Sequence, residues 1–261
     1  MAGFKRGILA FSVLSLLTGA VGQRAAVAQS TESSDLRKEV EQLKTQLKSL
    51  QSELDEIKTT LKEQSARTNP VIDIAGDPAM GDAGAKLVLL EFSDFECPFC
   101  LEYFKTTYRQ VIENYVNTGK VRYVFADFPG EKIHPHAFRA AEAGRCANEQ
   151  GKFWEMHDQL FSRQRDFGTT GFEDAAHTVG LNEPQFSACL SSGKYSAAVR
   201  QAEETTSRLG VQGTPVFVVG IPDPANPLKI KLGRALVGAQ TFAAFQQAIE
   251  SLLPKDSLLP K

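Results

Sequence analysis

Few of this chain's 261 residues belong to the types that usually hold cofactors. There are four cysteines, four histidines, three methionines and one tryptophan. No P-loop, dinucleotide fingerprint, HExxH or Ser-His-Asp pattern is present. A second CxxC is missing too, and since a zinc site wants four ligands, the pair at 97–100 supplies at most half of one, so no metal is expected. Neither charge sign is in excess: 29 Lys and Arg stand against 31 Asp and Glu, a formal net charge of -2. Such a balance excludes the electrostatic footprint of a nucleic-acid binder and a polybasic patch for anionic lipid. Long hydrophobic runs are also absent. The best candidate, residues 8–21, is short and broken by Ser12, Ser15, Thr18 and Gly19, which makes a poor spanning helix.

What that stretch does offer is an export signal. Lys5 and Arg6 precede it, and Ala26-Val27-Ala28 follows as a small-x-small cleavage pattern. Residues 1–28 are therefore expected to be a signal peptide, with a retained anchor as the alternative. Its removal takes away Lys5, Arg6 and Arg24 and no acid, moving the charge from -2 to -5. Export to the periplasm or cell envelope sets an oxidising environment in which all four cysteines can pair.

Residues 29–66 carry a heptad seam. Val40, Leu47, Leu54 and Leu61 fall at a, and Leu36, Leu43, Leu50 and Ile57 at d, in unbroken steps of four and three. Glu39 with Lys44, and Glu53 with Lys58, stand where parallel strands pair charges across the seam. A period of 3.5 favours a coiled coil between chains, dimer or trimer, over one amphipathic helix folded back on a globular domain. Residues 62–70, with Ser65, Thr68, Asn69 and Pro70, read as a linker.

Across the whole chain 42% of residues are hydrophobic, an ordinary core-forming composition, and the globular domain is assigned to residues 67–261. Apolar periodicity predicts strands at 86–92, 121–125 and 216–219, and a short one at 235–237. Helices are predicted at 97–117, 135–146, 151–163, 172–179, 183–190, 195–209 and 241–253, with Gly180 and Gly193 as punctuation. A β-α-β unit, a helical insertion at about 130–210 and a β-β-α unit give an α/β fold with a mixed sheet.

Cys97-Pro98-Phe99-Cys100 opens the first of these helices, just past the apolar run 87–92. Two thiols one helical turn apart can close a disulfide, and the N–H groups at a helix start stabilise a thiolate, the species that attacks disulfides. Cys97, at the exposed end, is the expected nucleophile, and Cys100 the resolving thiol. A static clip is the blander alternative, although so short a loop restrains the unfolded chain little. The reversible Cys97–Cys100 disulfide is then the redox group, and no separate cofactor is expected.

Three separated motifs carry a family resemblance. The run Glu91-Phe92-Ser93-Asp94-Phe95-Glu96-Cys97-Pro98-Phe99-Cys100, then Gly151-Lys152-Phe153-Trp154-Glu155-Met156-His157, then Gly210-Val211-Gln212-Gly213-Thr214-Pro215 resemble the DsbA-like thiol:disulfide oxidoreductases. The resemblance implies a thioredoxin fold with an inserted helical subdomain, and an exported enzyme that acts on protein thiols or disulfides and is recycled by a membrane redox partner. Pro215 is implied to be cis and opposite the dithiol, leaving the Thr214 backbone to pair with an extended substrate beside Pro98 and Phe99. Glu91 is implied to lie beneath the dithiol and shuttle the proton of Cys100; the residue alone reads equally as a strand-edge carboxylate in water. A structural Cys146–Cys189 disulfide is common in the family and expected on export, a second redox relay being the alternative. The most oxidising members carry a histidine between the cysteines. Phe99, with Asp94 and Glu96 upstream, predicts a milder couple here.

His157, on an apolar helix face with Phe153, Met156, Leu160 and Phe161, reads as a core histidine rather than a ligand. A rival from another class is a non-enzymatic envelope protein that joins a coiled coil to a thioredoxin-like peptide-binding or chaperone module. Such a module has no need of an intact CxxC.

Overall fold

A computed structural model describes residues 36–60, 71–164, 166–168 and 170–254. The expected signal at 1–28, the linker at 62–70, the first residues of the heptad segment and its last seam position, Leu61, lie outside the described residues. The chain divides into two units, Met1–Ser65 and Ala66–Lys261.

In the first unit, residues 36–60 form a single helix, α1. Its seven described seam residues, from Leu36 to Ile57, are each 45–62% exposed. Along its flanks Lys44 pairs with Glu41 at 2.8 Å and Lys58 with Asp55 at 3.5 Å, both within the helix.

The second unit is built on a six-stranded mixed sheet in the order β1-β6-β5-β3-β4-β2. Its central strand, β3 (Leu87–Ser93), is buried along its whole length, as its near-continuous apolar run requires. β4 (Val121–Asp127) runs parallel to it, which demands a helical crossover. That crossover starts as α2 (Pro98–Tyr103), passes through a π-helical stretch (Phe104–Tyr108) and α3 (Arg109–Val111), and ends in a second π-helical stretch (Ile112–Val116). On the other side β5 (Val216–Asp223) is antiparallel to β3 and forms a hairpin with β6 (Asn226–Val237). Two short strands close the edges, β1 (Val71–Asp73) on β6 and β2 (Ala79–Met80) on β4. The sequence reading missed β1 and β2, and it gave β6 only its last three residues. Residues 228–232 of β6 alternate Leu-Lys-Ile-Lys-Leu with Ile230 buried, a strand signal the sequence reading overlooked beside Pro227 and Gly233, and the strand pairs with both β5 and β1.

Between β4 and β5 lie five helices: α4 (Ala137–Asn148), α5 (Phe153–Ser162), α6 (Gly171–Thr178), α7 (Glu183–Ser191) and α8 (Ser196–Arg208). α9 (Phe242–Glu250) follows the hairpin and packs Phe245 and Ile249 against Tyr103 and Phe217 on the crossover side of the sheet. The opposite side, with Val88, Leu90, Phe92 and Val124, faces Leu209 and Val211 beyond α8. Close approach of α4 to the sheet end depends on Gly144, where an added Cβ would lie 3.2 Å from the Phe153 ring and 3.5 Å from that of Phe95. Cys146 and Cys189 tie α4 to α7 through a disulfide with an S–S distance of 2.01 Å. Beside it Arg145 bridges two carboxylates, Asp127 at 2.6 Å and Asp77 at 3.2 Å. Among the described residues no helix is long and apolar enough to cross a membrane.

Candidate active site

The sheet delivers Cys97 to the end of its central strand, and the following turn is fixed before the helix begins. Cys97 has extended backbone (φ -71°, ψ 124°) and caps α2, while Pro98, which has no N–H to satisfy, takes the first helical position. Asp94 locks the turn: its Oδ1 accepts from the Glu96 N–H at 2.7 Å, and its Oδ2 accepts from the Gly130 N–H at 2.8 Å and pairs with His134 Nδ1 at 2.7 Å. Glu96 Oε2 accepts from the His136 N–H at 2.6 Å, and Gln164 Nε2 donates to the carbonyls of Phe95 at 3.0 Å and Cys97 at 2.8 Å. The two acids that the sequence reading set against Cys97 are thus engaged in clamping the loop at 128–136, and neither is among the main causes of the shift in the Cys97 thiol described next.

Cys97 and Cys100 are both free thiols with opposite electrostatics. Hydrogen bonding from the Cys100 thiol is the largest influence on Cys97. Burial opposes it, and the Thr214 side chain and the N–H groups of Cys100 and Phe99 assist it, bringing Cys97 from 9.0 down to about 6. Cys100 is pushed well above 9.0, first by burial and then by its bond to Cys97 and the nearby charges of Cys97 and Glu91. Negative charge is therefore favoured on the outer sulfur and the proton on the inner one. In its thiol form Cys97 donates to the Thr214 carbonyl at 3.3 Å, across the cis Thr214–Pro215 peptide.

The sequence reading expected Cys97 to be exposed. Instead the residue is only 4% exposed, because the Thr214–Pro215 segment folds over its sulfur. Phe99 takes the open position at 59% exposure. Two grooves meet at this covering segment. One, about 830 Å³, runs from Cys97, Pro98 and Phe99 past the loop at 128–134 to Arg200 and Glu203. The second, about 560 Å³ and mainly apolar, is walled by Phe92, Leu209, Val211, Pro215 and Val237. Phe99 and residues 212–214 belong to both.

Beneath the dithiol lies Glu91, 1% exposed, which removes the reading of a carboxylate in water. Burial raises its carboxyl above the ordinary 4.5, against the lowering effect of the His157 imidazole and of the hydroxyls of Tyr123 and Ser93. The Tyr123 hydroxyl donates to Glu91 Oε2, and the hydroxyls of Tyr123 and Tyr103 lie 3.1 Å apart. His157 is buried in a cage of rings, with Phe161, Tyr108 and Trp154 at centroid distances of 4.9, 5.2 and 5.3 Å, and its Nδ1 meets Asp158 Oδ1 at 2.8 Å. No cluster of three or more potential metal ligands occurs among the described residues.

Sequence reasoning missed Ser93, Tyr123 and Gln164. Ser93 had a signal: two residues after Glu91 on a strand, it lies on the same face. Tyr123 and Gln164 had none, since they reach the site from 32 residues beyond Glu91 and 67 beyond Cys97.

Comparison with known proteins gives a consistent picture. The family described as Thioredoxin matches residues 74–250. A Na(+)/H(+) antiporter NhaA 3 of Salinispora tropica is 30% identical over 177 residues, covering 68% of this chain and 26% of that protein. The chain thus spans about a quarter of the antiporter's length. A probable disulfide bond formation protein D of Bacillus anthracis is 26% identical over 173 residues, covering 63% of this chain and 79% of that protein. Among solved structures, alpha-DsbA1 of Wolbachia pipientis aligns with a TM-score of 0.60 at 20% identity, over 69% of this chain and 92% of its own.

Proposed function

The chain belongs to the thioredoxin family, and from that premise we propose that it is an exported thiol:disulfide oxidoreductase of DsbA type, acting on protein substrates. One observation carries the reading: an ionisable Cys97 at a helix start, covered by the Thr214 carbonyl, over a Cys100 that retains its proton. In the oxidising direction a substrate thiolate attacks Cys97 Sγ, the Cys97–Cys100 bond breaks, and Cys100 leaves as a thiolate that takes up a proton. A second substrate thiolate then attacks the substrate sulfur of the mixed disulfide and releases Cys97 as thiolate. The substrate loses two electrons and the enzyme gains them. Glu91, buried next to Cys100 and inclined to hold a proton, is the local source and sink.

Extended substrate docks along the Thr214 edge, with its side chains in the two grooves around Phe99. A membrane redox partner recycles the dithiol in the periplasm or envelope. The exposed seam of α1 supports assembly of dimers or trimers, which would present several dithiols to one misfolded substrate and favour isomerisation. Insulin reduction and refolding of scrambled ribonuclease, run on the full chain, on Cys97→Ser and on a form lacking residues 29–66, test these statements. Cys97→Ser is expected to be inactive in both assays, and loss of the N-terminal segment to abolish isomerisation while sparing insulin reduction. Full activity of Cys97→Ser defeats the oxidoreductase reading; equal isomerisation without the segment removes the role of the stalk. The couple is expected to titrate against glutathione below the strongly oxidising limit of about -120 mV known for DsbA.

A further inference from the structure

Buried polar side chains almost always find a hydrogen-bond partner, and a hydroxyl left without one destabilises the fold. Among the described residues three buried side-chain atoms lack a partner: Glu91 Oε1, Ser93 Oγ and Asp127 Oδ1. Two of the three lie together under the dithiol. Glu91 and Ser93 are two residues apart on β3, so both project from the crossover side of the sheet, where α2 brings Cys100 down in full burial. Their strand neighbours confirm the side, since Leu87 and Leu89 pack there with Tyr103 and Tyr123, whereas Val88, Leu90 and Phe92 face the other core.

We propose that Ser93 is a catalytic residue: its hydroxyl relays the proton between the Cys100 thiol and the Glu91 carboxyl. The inference rests on the exchange reading above and adds the route its proton takes. Glu91 Oε2 is occupied by the Tyr123 hydroxyl, which leaves Oε1 as the atom free to exchange a proton. A serine hydroxyl has one proton to give and lone pairs to accept another, so it can serve both neighbours in one step. The Ser93 hydroxyl favours the charged forms of both the Glu91 carboxyl and the Cys100 thiol, while it makes no settled hydrogen bond to either in the resting site. The tyrosine pair is a poor alternative, because the Tyr123 hydroxyl is already committed to Glu91 Oε2 and lies against that of Tyr103, and burial holds both phenols protonated.

In the resolving direction the Cys100 S–H proton passes to Ser93 Oγ while the Ser93 proton passes to the Glu91 carboxylate. The Cys100 thiolate attacks Cys97 Sγ, the Cys97–Cys100 bond forms, and the bond from Cys97 to the substrate sulfur breaks. The substrate sulfur leaves with the electron pair and is reduced as the dithiol is oxidised. In the opposite direction the departing Cys100 thiolate recovers its proton from Glu91 by the same path.

Stopped-flow reaction of the reduced full chain with a large excess of Ellman's reagent separates the two steps: a first release of thionitrobenzoate reports attack by Cys97, and a second reports resolution by Cys100. Ser93→Ala is expected to leave the first phase unchanged and slow the second at least tenfold at pH 7, with its pH profile displaced about one unit to alkaline. Ser93→Thr, which keeps a hydroxyl, is expected to stay within about threefold of the wild type. Glu91→Gln should slow the second phase as well, and Ser93→Ala should add nothing in that background, as expected of two residues on one path. The urea midpoint of Ser93→Ala should equal or exceed that of the wild type, since an unpartnered hydroxyl has been removed. A wild-type second phase in Ser93→Ala overturns the proposal, as does an equal further slowing in the Glu91→Gln background, or a loss of stability that parallels the loss of rate. Absence of both phases in the wild type instead refutes the exchange reading itself.

Discussion

Removing the Cys100 thiol should return Cys97 toward an ordinary cysteine, and the size of that change follows from the site. Cys97 lies at about 6 against an ordinary 9.0, so at pH 7 about 90% of it is thiolate, against about 1% of an unperturbed thiol, a gain of roughly 90-fold. A lower pKa also weakens the nucleophile: with a Brønsted slope of about 0.4–0.5, three units cost roughly 20-fold, leaving a net advantage of only about fourfold at pH 7. An absolute rate at one pH is therefore a weak test, and burial of the sulfur would scale it further. The midpoint is unaffected by such constant factors. Iodoacetamide alkylation followed from pH 4.5 to 9.5 is expected to titrate near 6 and then level off. Cys100 donates the largest stabilising hydrogen bond to this thiolate, and a bond to a charged group contributes about 1.5–3 kcal/mol, or about one to two pKa units. Cys100→Ala should therefore move the midpoint to about 7–8 without reaching the unperturbed value, because the Thr214 side chain and the helix N–H groups remain. An unchanged midpoint in Cys100→Ala would refute the argument, as would a wild-type rate still rising at pH 9.

Two further outcomes follow from groups around the dithiol. The Cys146–Cys189 disulfide closes a separation of 43 residues, for which chain entropy gives about 4 kcal/mol. The double variant Cys146→Ala with Cys189→Ala should accordingly lose roughly 10 °C in Tm, at about 2–4 °C per kcal/mol for a domain of this size, yet keep its insulin-reduction rate below the transition; loss of rate in a folded variant would make this pair a redox relay. Glu91 is raised in the folded state, so its ionisation opposes folding above its folded pKa and has no effect below the unfolded one. Glu91→Gln should therefore match the wild type in urea midpoint at acid pH and exceed it as the pH rises toward 8, and a gain that does not grow with pH counts against the buried-acid assignment.

The dithiol and the central strand were legible because their chemistry is local, whereas the covering Thr214–Pro215 segment, 117 residues from Cys97, came only from the family resemblance. A CxxC after an apolar strand states its own function, and 86–92 reads as a buried strand from composition alone. What could not be read depends on partners distant in the chain. Glu91 was open between water and core until β4 and β5 were placed on either side of it, at Phe125 and Phe217. Asp94 and Glu96 looked like charges acting on Cys97, and only the return of residues 130–136 to the turn shows both carboxylates already engaged. β6 did carry a local signal, the alternation Leu228-Lys229-Ile230-Lys231-Leu232, but it is short and bracketed by Pro227 and Gly233, and it was passed over.

The same distinction explains why Ser93 escaped notice despite its place in the most readable stretch of the chain. Serine in a strand ordinarily signals an edge or a solvent face, and Ser93, four residues before Cys97, entered the sequence reading only as part of the family motif. In the folded protein it occupies a central, fully buried strand where an alanine would pack without leaving a polar atom unsatisfied. The hydroxyl therefore works against local stability, and the polar groups around it include Glu91, Tyr123, its register partner Asp127 and the thiol carried above the strand by α2. Fold stability and proton transfer thus make opposite demands on this one position, which is why a rate that falls while the urea midpoint holds or rises is the result that separates them.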